Sequence, residues 1–115
     1  MKKLVTKLSP ELFKSKIQIE KDLRQGNKTD EDLYKLITKA IDFLKAGRKG
    51  QPIAKNLPMF TYFEKEYGVS NLFRIEVSKS SRAFYTLTSE NEFEILQILL
   101  EVHKTHKEYD KKGKY

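Results

Sequence analysis

Between Leu72 and Val102 the chain carries three successive runs whose side chains sort at every second position, a period that strands satisfy and helices do not. In the first, Phe73, Ile75 and Val77 alternate with Arg74, Glu76 and Ser78. In the second, Ala83, Tyr85 and Leu87 alternate with Arg82, Phe84 and Thr86. The third, Phe93 to Val102, is almost wholly apolar, as a central strand covered on both faces would be. The polar stretches 79–81 and 88–92 suit hairpin links, so the spacing predicts an antiparallel three-strand meander with residues 93–102 paired against 82–88. In this reading Leu96, Ile98, Leu100 and Val102 form one row that a helical hairpin must cover. A rival pattern exists: Ser89 with Glu92 is a capping-box spacing that would open a helix over residues 89–112. The unbroken alternate-position row favours the strand.

The rest of the chain reads as cover for that sheet. Lys2 to Leu8 forms a short opening strand. Ser9 is a good N-cap and Pro10 suits the first helical turn, so a helix runs to about Arg24 and stops at Gly26-Asn27, with Leu12, Phe13, Ile17 and Leu23 on its apolar side. Thr29 caps a second helix, on which Leu33, Leu36, Ile37, Ala40, Ile41 and Leu44 fall on one stripe before Gly47 ends it. The two helices form a hairpin on one side of the sheet. Residues 48–52 read as a basic linker. Residues 53–68 read as extended chain followed by a short helical turn that stops at Gly68.

At 115 residues, 38% of them hydrophobic, this is a single domain spanning residues 1–115. No apolar run is long enough to cross a bilayer, and Met1 to Lys7 lacks the apolar centre of a signal peptide, so the expectation is a soluble, cytoplasmic protein. With no cysteine, thiol chemistry and thiolate metal sites are excluded. The net charge of +7 is unevenly placed: residues 1–57 hold 14 basic against 7 acidic side chains, residues 58–102 hold 4 against 7, and residues 103–115 hold 5 against 2. Such a field attracts polyanions, nucleic acid first, although lysine-rich solvated helix faces give the same count.

An opening strand, a helical hairpin, a linker with Gly50-Gln-Pro52 and Leu57, then a three-strand antiparallel meander and a short basic tail resembles the RelE/ParE superfamily of toxin–antitoxin toxins. Phe73-Arg-Ile-Glu-Val77 is similar to the family's "tyrosine or leucine, arginine, isoleucine" strand. Arg82-Ala-Phe-Tyr85 is similar to the next strand, and Thr105-His-Lys-Glu-Tyr109 to the signature after the last one. The chain departs from that pattern in a longer link between Leu57 and Leu72, and in Glu76, which stands where the RelE branch tends to place lysine or arginine. The resemblance implies an α+β RelE-like fold and a toxin neutralised by a cognate antitoxin. It also implies metal-free endonuclease activity on mRNA, on the ribosome, without a cofactor. A non-catalytic member acting by binding gyrase, RNA or a protein partner is the alternative.

Cleaving RNA without a metal needs a base for the 2′-hydroxyl, cations for the pentavalent phosphate and an acid for the leaving oxygen. The resemblance assigns these roles to Arg82, His106 and Tyr109, with Arg74, Lys79, His103, Lys104 and Lys107 binding RNA. The arginines suit bidentate phosphate contacts, and His106 suits proton transfer because an imidazole ordinarily titrates near neutral pH. Plainer readings stand beside these. Arg74 and Arg82 can pair with Glu76, Glu94 or Glu101 across the sheet, and His106 can be an ordinary tail histidine. Phe60, Tyr62, Phe63 and Tyr67 can stack on bases or simply pack. His103 and His106 with Glu101 and Asp110 make only a weak case for a metal site.

Overall fold

Ser9 fixes both where the first helix starts and where it sits. Its hydroxyl oxygen accepts the Leu12 N–H at 3.3 Å and its O–H donates to the Leu100 carbonyl at 2.8 Å, while the Ser9 N–H donates to Leu99. A single buried residue therefore caps the helix and ties it to the last strand. The computed structural model describes residues 3–89 and 91–105. Its elements are β1 (Lys3–Leu8), α1 (Pro10–Arg24), α2 (Glu31–Lys45), β2 (Gln51–Pro52), α3 (Pro58–Tyr67), β3 (Phe73–Glu76), β4 (Arg82–Ser89) and β5 (Glu94–His103).

The helical hairpin forms as its sequence predicts, with two corrections. At about 100° per residue, Leu12, Ile19 and Leu23 share one face, which packs on the sheet and α2. Phe13 and Ile17 lie on the adjoining stripe and are 54% and 46% exposed, so they are not part of the buried side expected for them. Helix α2 begins after Asp30, and Thr29 is not its cap: the Thr29 N–H and O–H both donate to the Asn27 side-chain oxygen at 3.0 and 2.7 Å, an alternative local bond that short polar side chains favour. Ile37, Ala40 and Leu44 bury the expected stripe. Lys16 and the Tyr34 hydroxyl both reach Glu20 at 2.9 Å and join the two helices at the surface.

The antiparallel pairing of β3, β4 and β5 is present, with residues 82–89 of β4 against residues 95–103 of β5. That excludes a helix over this stretch. The sheet is larger than the expected meander, however. It has five strands in the order β1-β5-β4-β3-β2, with β1 parallel to β5 and the other pairs antiparallel. The supposed linker supplies β2, which pairs Gln51 with Arg74 and Pro52 with Phe73. The short helical turn near Gly68 is a full α3, which ends at Gly68 in the left-handed conformation that glycine adopts without strain.

Helix α3 changes the meaning of the apolar rows, because it covers the sheet face opposite the hairpin. Met59, Phe60 and Phe63 pack against Leu72, Phe84 and Leu100, whereas Ala83, Tyr85 and Leu99 face α1 and α2. Both faces of β4 and β5 are thus buried, which accounts for their continuous apolar sequence. The row Leu96, Ile98, Leu100 and Val102 does not lie under the hairpin as expected. Leu100 is an extra residue between the paired positions Leu99–Tyr85 and Glu101–Phe84, a β-bulge, so Ile98 and Leu100 pack with α3 while Val102 packs with the hairpin.

Gly50 shows how tightly the β2 edge is joined. Its N–H accepts no substitute geometry: it donates to the Tyr85 hydroxyl at 2.8 Å, and a Cβ there would stand 2.5 Å from the Arg74 carbonyl oxygen. Gly50→Ala is therefore expected to cost about 2 kcal/mol, the scale of overpacking, and to lower the melting temperature by roughly 10 °C in a thermal scan. A variant as stable as the parent would show that β2 is not held this closely. Among the described residues, no helix is long and apolar enough to cross a membrane.

Candidate functional site

The bulge at Leu100 sets the site, since without it Glu101 would point to the hairpin side. Instead, the register places two rungs of functional side chains on the face that α3 partly covers. One rung reads Glu76, Arg82, His103 across β3, β4 and β5, and the next reads Arg74, Phe84, Glu101. Helix α3 adds Tyr62 and Tyr67 above the second rung, with Phe63 against Phe84 at 4.9 Å between ring centroids.

Glu101 is the centre of this cluster. One carboxylate oxygen accepts from the hydroxyls of Tyr62 and Tyr67, each at 2.6 Å, and the other accepts from His103 Nε2 at 2.6 Å. An ionised carboxylate only accepts hydrogen bonds, so Nε2 carries the hydrogen. Burial works to raise the Glu101 pKa, but the bonds from His103, Tyr62 and Tyr67 outweigh it and hold the group below the usual carboxylate range. Burial first, and then the bond to this carboxylate, drive both tyrosine phenols well above theirs. The result is a carboxylate–imidazole pair backed by two protonated phenols at the floor of a cavity of about 480 Å³ whose wall includes Glu11 and Ser15 of α1. Such a network can hold an imidazole in one orientation.

The pH dependence of stability follows from these directions. The folded state lowers the Glu101 pKa, so the stability its ionised form adds is complete above the unfolded value, near pH 4.3, and is lost as the pH falls through the folded value. The phenols have the opposite sign: their contribution is complete below about pH 10 and is lost as the pH rises beyond it. The melting temperature is expected to be flat between about pH 5 and pH 9 and to fall on both sides. Tyr67→Phe should reduce the alkaline fall in calorimetry, and an unchanged alkaline limb would mean that the phenols are not held in this way.

The sequence-derived residues are only partly brought together. Arg82 is the register partner of His103, but its side chain is 13% exposed and engaged: Nη2 lies 3.4 Å from Glu76, and Nη1 donates to the carbonyls of Ser78 and Ser81 at 3.2 and 3.0 Å. The cross-strand pairing with Glu76 is thus the observed state of Arg82. Arg74 lies on the same face and donates to Gln51 at 2.7 Å. His103 is buried on Glu101, with its ring 5.1 Å from Phe84. Lys79 is exposed in the β3–β4 turn, and the Lys104 carbonyl accepts the Ser81 hydroxyl at 3.0 Å. His106, Lys107 and Tyr109 lie outside the described residues.

No family model, curated protein or solved structure matches the chain. Sequence reasoning missed the roles of Tyr62, Tyr67 and Glu101. The two tyrosines stood out only as members of an aromatic cluster, and Glu101 only as a possible partner for arginine or a metal. Among the described residues, no group of three or more His, Cys, Asp or Glu side chains is placed to hold a metal ion.

Proposed function

We propose that this chain is a toxin of the RelE/ParE type, neutralised by an acidic antitoxin, that cleaves messenger RNA on the ribosome. The observation that carries the reading is topological. The first strand leads into a helical hairpin and returns parallel to the last strand, whose antiparallel neighbour carries Arg82 beside His103. The arrangement shares with the RelE resemblance the opening strand, the helical hairpin and the antiparallel β3, β4 and β5, and departs from it in the β1–β5 pairing, in β2 and in α3. In sequence, His106 follows His103, the register partner of Arg82, by three residues. In this reading Arg82 stabilises the phosphate, His106 and Tyr109 handle protons, and Glu101 holds His103 in place. Lys79 and Lys104 supply salt-dependent attraction to RNA.

One observation favours the second reading, a member of the same fold that binds without cleaving. Glu76 and two carbonyls already occupy the Arg82 guanidinium, and α3 covers part of the face that RNA would use. Induced expression in a bacterial host, with the ends of cellular messages mapped afterwards, separates the two. Growth arrest with new cuts inside translated regions is the result expected for the nuclease. Growth arrest with intact messages supports the binding protein, and harmless expression removes the toxin reading.

A further inference from the structure

Strand β5 runs on to His103, whereas its parallel partner β1 stops at Leu8, opposite Leu99. The chain turns away there because Ser9 caps α1 and its hydroxyl donates to the Leu100 carbonyl. Residues 100–103 therefore have β4 on one side and, among the described residues, no strand on the other. Helices from both layers wall the gap: Glu11, Leu12 and Ser15 of α1 and Leu33 of α2 from the hairpin, and Tyr62 and Tyr67 of α3 from the opposite face. This is the cavity of about 480 Å³ over Glu101, a size that suits a small ligand.

The charge of the cavity is opposite to that of the chain. The sequence carries 23 lysines and arginines against 16 acids. Among the described residues, the lining nevertheless has two carboxylates, Glu11 and Glu101, and neither a lysine nor an arginine. Beyond burial and the bond to Glu101, the charges of Glu66 and Glu11 also disfavour ionising the Tyr62 phenol, so a third carboxylate adds to the same negative field. The Glu101 side chain is 15% exposed. Its oxygen bonded to His103 can accept once more, since each carboxylate oxygen has two lone pairs. Leu12 and Leu33 give the wall apolar surface, and tyrosine rings attract cations.

We propose that this cavity binds a small organic cation, a primary ammonium on a compact apolar body. The three donors of an ammonium suit the carboxylates of Glu11 and Glu101 and the Ser15 hydroxyl, while the body displaces water from Leu12 and Leu33. An anion of the same shape meets repulsion. A metal ion does not suit this wall, since among the described residues no three acidic or imidazole groups converge to hold one. The inference does not rest on RNA cleavage, because neither Arg82 nor Lys79 lines the cavity.

The test is an NMR titration of the full chain with phenethylamine, which is protonated at neutral pH, beside phenethyl alcohol and phenylpropionate, which keep the ring and change the charge. The amine is expected to shift the amide signals of Leu12, Ser15, Tyr62 and Glu101 saturably, with a dissociation constant of about 1 mM or below. The alcohol and the carboxylate are expected to bind roughly tenfold more weakly or worse. Glu11→Gln removes one carboxylate from an exposed position in the first turn of α1 and should weaken the amine about fivefold. Ser15→Phe, also at an exposed position, fills the mouth and should abolish binding. Both variants should melt within a few degrees of the parent, so that lost binding reports the site and not the fold. Equal binding of the three probes, shifts confined to another surface, binding unchanged by Glu11→Gln, or no saturation at about 10 mM amine would each overturn the proposal. A blocked lysine, acetyl-lysine methylamide, that binds more tightly than phenethylamine would overturn the free ligand and assign the cavity to a partner's lysine side chain. Amine binding by a chain that is harmless on expression would leave the cavity's ligand standing and remove the toxin, and growth arrest without amine binding would do the reverse.

Discussion

Replacing Glu101 by alanine is expected to lower the melting temperature by roughly 15 °C, more than any other change to a polar side chain near the site. Three donors converge on this carboxylate at 2.6 Å, from Tyr62, Tyr67 and His103. Removing it leaves them in a partly buried site, where each lost partner costs about 1–3 kcal/mol before water enters. A net loss of about 3 kcal/mol at several degrees per kcal/mol gives the expected fall. Glu101→Gln keeps one acceptor oxygen and should lose about half as much. Calorimetry at neutral pH checks both, and an alanine variant that melts with the parent would show that the cluster is incidental to folding.

Arg82→Ala is expected to lower cleavage of ribosome-bound message by about a hundredfold or more, the scale of one preorganised electrostatic donor. Arg82 also holds the β3–β4 turn through the carbonyls of Ser78 and Ser81, so the same variant should melt a few degrees lower. The two effects separate by measurement: single-turnover cleavage at a temperature where both proteins are folded reports the chemistry alone. Glu76→Gln provides the converse, because it frees the guanidinium from its carboxylate and should raise RNA affinity a few-fold at low salt. Cleavage that survives Arg82→Ala intact would end the assignment of Arg82 to the phosphate.

The period-2 pattern made β3, β4 and β5 legible, and Ser9-Pro10 made α1 legible, because in each case a local rule and the final structure agree. Other features failed for identifiable reasons. Gln51 and Pro52 carry no strand pattern of their own, and they pair because β3 offers an edge. Phe13 and Ile17 read as core residues because the residue types are apolar, and only the hairpin's placement turns that stripe outward. The bulge at Leu100 leaves no mark in a run of apolar residues, yet it decides that Glu101 meets Tyr62 and Tyr67. The central carboxylate of the site was therefore hidden by a shift of one residue, while the cross-strand pairing of Arg82 with Glu76, whose register is regular, was legible.

The pairing of β1 with β5 has a bearing on how the protein is made. Thr6 and Gln97 touch across 91 positions of sequence, so the first strand has no neighbour until the last one has left the ribosome. At about 5–20 residues per second, that leaves several seconds in which the hairpin exists without its sheet. A contact this remote in sequence also slows the final closure. A molecule that arrests growth would thus stay inert on the polysome until its last strand has emerged. A partner translated from the same message would have that interval in which to reach it.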